Sequence, residues 1–202
     1  MNHVTETTEC GSFALVSYIP DPLGSFLHGL RQNLPGEDNP QPHITLLPPR
    51  PLRLSVDAAS QQAQNILLQF PAFEVELSRI CSFPETNVLY LEVGKGNRLL
   101  YDLHDALNAG DLAHEEKFAF RPHLTLSGPV DPPHLPWVRK QAEIVWYASD
   151  HSRRFTLEEI AFLCLGPESP EGKWQRVWSQ RLGGKNNTNA RAAIAAPRSR
   201  TW

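Results

Sequence analysis

The sequence holds no apolar run approaching the roughly 20 residues that a membrane span requires. Its first stretch, Met1 to Gly11, is polar and lacks the basic-then-apolar order of a secretory signal. A cytoplasmic protein with no membrane partner is therefore expected. Cysteine is scarce: Cys10, Cys81 and Cys164 are odd in number, lie far apart and show neither a Cys-x-x-Cys pair nor a Cys/His metal spacing. This argues against a redox or zinc role, and Cys81 and Cys164 read as small apolar residues in reduced surroundings. Excess basic charge is missing as well, since 19 Lys and Arg stand against 22 Asp and Glu. Lys185, Arg191, Arg198 and Arg200 all fall within 184–202, a stretch with no acid, so the body of the chain is more acidic still. Non-specific nucleic-acid affinity rests on many Lys or Arg contacts. An acidic body argues against such a surface, so an RNA ligand would be gripped at one end or as a small fragment.

What is present is enough for a good core: 202 residues, 41% hydrophobic and 20% charged, the composition of an ordinary globular protein. Two copies of one five-residue phrase stand out within it. Pro42-His43-Ile44-Thr45-Leu46 returns as Pro122-His123-Leu124-Thr125-Leu126, roughly 80 residues further on, about half a mean domain length. Each phrase alternates polar and apolar residues, the pattern of a half-buried strand. Residues two apart on a strand share a face, so His43 and Thr45 lie together, as do His123 and Thr125, while Ile44, Leu46, Leu124 and Leu126 point into a core. The leading prolines fix φ and bias Gln41 and Arg121 toward extended geometry, which suits the first residue of a strand. A repeated phrase predicts two similar half-units facing each other across a pseudo-twofold, with one site built from both.

The rest of the chain supplies the scaffold. The apolar run Phe13 to Ile19 predicts a buried strand. Asp21 and Pro22 open a helix with Leu23, Phe26, Leu27, Leu30 and Leu34 on one stripe, stopping near Pro35-Gly36. Pro48, Pro49 and Pro51 are expected to end the first phrase's strand. A helix follows from Ser55, with Ala59, Ala63, Ile66, Leu67 and Phe70 on one face. Phe73, Val75 and Leu77 alternate with Glu74, Glu76 and Ser78 as a strand, and a second runs from Val88 to Val93. A helix from Asn97 or Arg98 to Asn108 stops at Gly110. The second phrase is expected in a strand from Arg121 to Val130, followed by a helix at 137–147 and strands at 155–165 and 174–181. These elements predict an α+β fold of two antiparallel sheets flanked by helices, a single bilobal domain over residues 12–182 with a flexible basic tail at 183–202.

Two facing histidines suit in-line displacement at phosphorus. One neutral imidazole takes a proton from the nucleophile, and one imidazolium gives a proton to the leaving oxygen. The Thr45 and Thr125 hydroxyls can donate to the non-bridging oxygens. Neither phrase holds the carboxylate or third histidine of a catalytic zinc site, so no metal and no cofactor is expected. His28, His104, His114, His134 and His151 fit no such spacing and read as surface or capping residues. Trp174 and Trp178 read as core. Phe83 and Tyr90 fit either core packing or a platform on which a base stacks.

The paired phrases resemble the two His-x-Thr-x motifs of the 2H phosphoesterase superfamily, and within it the bacterial 2′-5′ RNA ligase and RNA 2′,3′-cyclic phosphodiesterase group, over about residues 12 to 182 in element order as well as motif. The resemblance implies a bilobal fold around a central cleft and hydrolysis of a 2′,3′-cyclic phosphate to a 2′-phosphomonoester without metal, with reverse 2′-5′ ligation as a weak activity. Carried over residue by residue, it makes His43 the acid on the departing 3′-oxygen, His123 the base on water, and Thr45 and Thr125 the phosphate holders. Ser127-Gly128 stands where many relatives carry a basic residue, and Arg121, Arg50 and Arg53 are the candidates to supply that charge; Arg121 is taken as substrate-binding. The implied partner is RNA with a cyclic-phosphate end or a small nucleotide, met by a monomer. A cyclic phosphate of ADP-ribose, a 2′-5′ oligoadenylate, or binding of RNA ends without turnover are the other readings.

Overall fold

The computed structural model of the chain describes residues 10–36, 40–166 and 173–183. The tail expected beyond residue 183 lies outside these residues. Among them eight strands form one antiparallel sheet backed by four helices.

The first strand, β1 (Ser12–Tyr18), is buried from Phe13 through Ser17, as its continuous apolar run requires. Helix α1 (Leu23–Gln32) follows and seats Leu23, Leu27 and Leu30 in the core. The first phrase opens β2 (His43–Pro51). Contrary to expectation, its prolines do not end the strand. Beyond Ile44 no partner among the described residues lies on the far side of β2, so a residue without an N–H costs no ladder bond there, and the pairing with β1 shifts register as it passes them. Helix α2 (Val56–Leu67) is capped by Ser55, whose Oγ accepts from Ala58 N at 3.2 Å.

Strands β3 (Phe73–Ser82) and β4 (Leu89–Val93) pair antiparallel. Gly96 then opens helix α3 (Asn97–Leu107) with φ of 86°, where a Cβ would stand 2.7 Å from Glu74 O. Leu100, Leu103 and Leu107 are fully buried, and truncating one such leucine to alanine costs about 2–5 kcal/mol. A short 3-10 turn at Gly110–Leu112 precedes the second phrase, which forms β5 (His123–Thr125), much shorter than expected. Helix α4 (Leu135–Ala148) follows.

The expected strand at 155–165 is two strands, β6 (Arg154–Leu157) and β7 (Glu159–Leu165), which leave in opposite directions across the sheet: β6 pairs with β3 and β7 with β1. The split shows in the burial phase, since Phe155 and Leu157 are inward at odd positions whereas Ile160, Phe162 and Cys164 are inward at even ones. Strand β8 (Gln175–Arg181) closes the far edge, with the Trp178 ring 5.2 Å from that of Phe162 and its Nε1 donating to Ser60 Oγ at 2.7 Å.

The expectation of two sheets is corrected by the strand order, β6-β3-β4-β5-β2-β1-β7-β8, which is continuous. Its halves nonetheless correspond: β1-α1-β2-α2 and β4-α3-β5-α4 repeat one order of elements, and each phrase sits on the strand at the junction. That junction is narrow, with Ile44 opposite Leu124 as its one register pair among the described residues. A second correction concerns cysteine. Cys10 is joined to Cys164 by a disulfide, because β1 runs antiparallel to β7 and brings their ends to a Cα–Cα distance of 5.5 Å. Cys81 is the free cysteine among the described residues. No helix of those residues is long and apolar enough to cross a membrane.

Candidate active site

The strand pairing around the junction determines which side chains meet. Ile44 lies opposite Leu124 with both side chains fully buried, which turns the neighbouring residues of β2 and β5 to the other face. An antiparallel pair in this register sets His43 beside Thr125 and Thr45 beside His123, with the two imidazoles on the diagonal, about 7–8 Å apart at Cα. Outward from the junction, Tyr18 pairs with His43 and Val16 with Thr45, while Tyr90 pairs with Thr125 and Glu92 with His123. One row of the face thus reads Tyr18, His43, Thr125, Tyr90, and the next Val16, Thr45, His123, Glu92. Each histidine lies next to the threonine of the other phrase, an arrangement neither phrase contains alone.

Both rings are fixed in the same way. His43 Nδ1 bonds Gln41 O at 2.8 Å and His123 Nδ1 bonds Arg121 O at 2.6 Å. A carbonyl oxygen only accepts, so Nδ1 carries hydrogen in each ring and Nε2 is the atom left for proton exchange. The proline after each accepting residue holds that carbonyl in the extended entry to the strand. Among the described residues, no hydrogen bond engages either Nε2 or the hydroxyl of Thr45 or Thr125. The four groups face outward unspent.

The surroundings tune the rings. Burial pushes the His43 pKa below the ordinary imidazole value; the bond to Gln41 opposes this, and the charges of Arg31 and His123 add to it. Burial lowers the His123 pKa too, against the bond to Arg121 O and with the help of the Arg121 charge. Each histidine therefore has an arginine near it. Arg121 Nη1 donates to Tyr90 Oη at 2.9 Å and its guanidinium lies 5.8 Å from the Phe83 ring centre. Arg31 is 6% exposed, gives Nη1 to Pro40 O at 2.6 Å and leaves a buried Nε without a partner. Phe83 and Tyr90 stack on each other at 4.2 Å and meet the His123 ring edge-on at 5.0 and 5.4 Å, so both brace a catalytic candidate, Tyr90 from a buried position at 2% exposure. Tyr18 stands edge-on to His43 at 6.1 Å.

Of the arginines proposed for the missing charge, Arg121 is at the site and Arg50 is not. The Arg50 side chain is fully buried, ion-paired to Glu116, with Nη1 donating to Asn108 Oδ1 at 2.6 Å and to Leu112 O at 3.3 Å, and Nε to Pro48 O at 3.1 Å. Arg53 is exposed and lines neither of the cavities described below. His104, expected at the surface, is 5% exposed. Its Nδ1 donates to Leu46 O at 2.7 Å and its ring lies parallel to Phe120 at 3.8 Å. It thereby touches the last residue of the first phrase and the approach to the second.

Two cavities are lined by residues next to the histidines, though by neither histidine itself. One, of about 990 Å³, includes Tyr18, Gln41 and Pro42 beside His43; the other, of about 530 Å³, includes Tyr90, Arg121 and Pro122 beside His123. Among the described residues no three side chains of His, Cys, Asp or Glu gather as metal ligands would. Paired imidazoles able to hold one proton between them, with two free hydroxyls, are equipped for general acid–base displacement at a phosphoryl centre.

The sequence led to the two histidines, two threonines and Arg121. It did not reveal Tyr18 or Arg31. Tyr18 shares strand parity with Val16 on the far strand of the pair, and that pairing is long-range; Arg31 looks like any polar residue of an amphipathic helix.

The chain is similar to several known proteins. A family model described as the 2′-5′ RNA ligase superfamily matches residues 19–165. A protein of Geobacillus thermodenitrificans named "Putative phosphoesterase" is 32% identical over 87 residues, covering 42% of this chain and 50% of that protein. A similarly named protein from Bacillus cytotoxicus is 30% identical over 95 residues, covering 43% and 55%. The chain spans about half the length of the curated relatives it matches. Among solved structures, E. coli LigT complexed with NADP+ superposes with a TM-score of 0.59 at 16% identity, over 87% of this chain and 99% of that one. A protein of Thermus thermophilus gives 0.61 at 17% identity, over 86% and 99%. At these identities the likeness is one of fold.

Proposed function

Because the chain belongs to the 2′-5′ RNA ligase superfamily of 2H phosphoesterases, we propose that it is a phosphodiesterase that opens a 2′,3′-cyclic phosphate to a 2′-phosphomonoester by paired-histidine acid–base catalysis in a cleft between the two corresponding halves. The observation that carries this reading is the matched fixing of the two rings, each by Nδ1 to the carbonyl two residues before it, with both Nε2 atoms on one face beside unengaged threonine hydroxyls. E. coli LigT, which shares the fold, is described in complex with 3′-AMP and with phosphate, ligands of the kind this arrangement suits.

In the reaction, neutral His123 Nε2 takes a proton from water as its oxygen forms a bond to phosphorus. Protonated His43 Nε2 gives a proton to the 3′-oxygen as the P–O3′ bond breaks. The hydroxyls of Thr45 and Thr125 donate to the non-bridging oxygens, where charge builds in the transition state, and Arg121 and Arg31 add positive potential from either side. After turnover the proton lies on His123, and exchange with solvent restores the starting state. No step calls for a metal ion, and with the 5′-hydroxyl of a second RNA end in place of water the same forward steps join two RNA ends through a 2′-5′ linkage, the weak ligation of the family.

The test is hydrolysis of a nucleoside 2′,3′-cyclic phosphate in the presence of EDTA, with the monoester identified, for the native chain and for His43→Ala and His123→Ala. Each positioned acid or base contributes about 10²–10⁴-fold, so each variant should lose at least about 100-fold in kcat. Native turnover that EDTA abolishes, or that survives either substitution undiminished, refutes the mechanism. An inactive native chain that still binds cyclic-ended RNA would mark it as a binding module.

A further inference from the structure

The two cavities beside the histidines differ in charge. The larger one gathers Arg154 and Arg176 with Asp21, Glu158 and Glu159, so acids outnumber bases. The smaller one is lined by Arg79, Arg121 and Arg139 with a single carboxylate, Glu92, and by the phenols of Tyr90 and Tyr101. This smaller cavity adjoins the reacting centre: its Glu92 and Tyr90 are the β4 partners of His123 and Thr125, and its Arg121 and Pro122 lead directly into His123.

Its three guanidinium groups are not equally occupied. Arg79 holds Glu92 through Nε at 2.8 Å, and Arg139 holds Glu143 through Nε at 2.9 Å while its Nη2 donates to Ile80 O at 2.9 Å. The Arg79 and Arg139 side chains are 69% and 44% exposed, so both ion pairs are solvent-screened and exchangeable. Arg121 makes no ion pair among the described residues; its hydrogen bond goes to the Tyr90 hydroxyl. On the phosphodiesterase reading the phosphate to be cleaved is held by the histidines and threonines, which leaves the wall formed by Arg79 and Arg139 for another group. Planar guanidinium forks with adjacent phenols match the oxygens of a phosphate group better than those of a sugar or base.

We propose that this cavity binds a second phosphate group of the substrate, carried on the nucleotide unit that lies on the His123 side, and that the protein therefore prefers substrates phosphorylated at a second position over simple mononucleoside cyclic phosphates. The proposal rests on the phosphodiesterase reading for the identity of the first phosphate, and it sets a substrate polarity. The phosphorylated end of the substrate lies over β3 and β4, and the end over β1, β7 and β8 carries no phosphate.

The experiment is equilibrium binding, which does not depend on turnover. Adenosine 2′,5′-bisphosphate and adenosine 2′-monophosphate are titrated into the full chain by calorimetry at low and high salt. Charge-assisted hydrogen bonds of this kind predict roughly tenfold or tighter binding of the bisphosphate, with the advantage shrinking as salt rises. Arg79→Gln and Arg139→Gln should each reduce the ratio, and Arg79→Glu should abolish it; Arg79 is exposed enough for its variants to fold. Equal affinity for the two nucleotides, a ratio untouched by the Arg79 variants, or no binding of either at millimolar concentration overturns the proposal. Failure of the phosphodiesterase reading shows separately, as absence of cyclic-phosphate hydrolysis in a chain that still discriminates the two nucleotides.

Discussion

Replacing Glu116 with alanine should damage both stability and activity, although the residue is not one of the reacting groups. Glu116 is the counter-charge of Arg50, whose side chain has no solvent exposure, and is itself 13% exposed. Removing one partner of a buried pair costs about 3–5 kcal/mol, because the other charge stays buried without compensation. Three acceptors remain around Arg50, namely Pro48 O, Asn108 Oδ1 and Leu112 O, which places the expected loss near the lower end, about 3 kcal/mol. For a domain of this size that is roughly a 6–12 °C fall in Tm. Activity should fall with it, since Glu116 anchors the segment that runs through Phe120 and Arg121 to His123. Urea unfolding and cyclic-phosphate hydrolysis, measured on the same preparation, make the check. The double variant Arg50→Met/Glu116→Leu removes both charges and should recover much of the stability. A Glu116→Ala chain within about 1 kcal/mol of native, or a double variant no better than the single one, would refute the reasoning.

Three further outcomes follow from the site itself. Since burial holds both histidines below the ordinary imidazole value, the singly protonated pair is most populated on the acid side of it, and the bell-shaped profile of kcat/KM should peak below about pH 6.5; a maximum above neutrality contradicts it. The same shifts mean that the unfolded chain takes up protons before the folded one does, so stability should fall as pH drops from about 6.5, and less so in His43→Gln or His123→Gln. Thr45→Val and Thr125→Val should each cost kcat about 10²–10³-fold with little change in Tm if the hydroxyls serve the transition state, whereas a loss of stability without a kinetic effect would make them packing residues.

What could be read from the sequence was local. Alternation in the two phrases marked the strand face, and Ile44, Leu46, Leu124 and Leu126 are all fully buried as that face requires. Helix stripes such as Leu100, Leu103 and Leu107 were equally plain. What escaped depends on pairing between distant segments. The bracing of His123 by Phe83 and Tyr90 needs β3 and β4 to be laid beside β5, and the Cys10–Cys164 link needs β1 beside β7, at a sequence separation of 154. The burial of Arg50 and His104 arises because the span before His123 that carries Leu112, Glu116 and Phe120 folds over them, and nothing in the composition of that span announces it. The division at Glu158 was visible as a change of phase in the apolar residues, a signal that outweighs the continuity of the run.

The identical fixing of the two imidazoles has a consequence for chemical direction. With Nδ1 committed to a carbonyl in both rings and a threonine of the opposite phrase beside each, the centre is near enough to twofold-matched that a ligand turned end for end would meet the same groups in exchanged roles. Forward and reverse passage over one barrier use one set of contacts, so the reacting groups themselves carry no arrow. Which oxygen departs is decided by how the ligand lies, and that is a property of the unequal walls on either side. If the proposed activity holds, selection acting on those walls redirects it to a new bond or a new nucleotide while both phrases stay as they are.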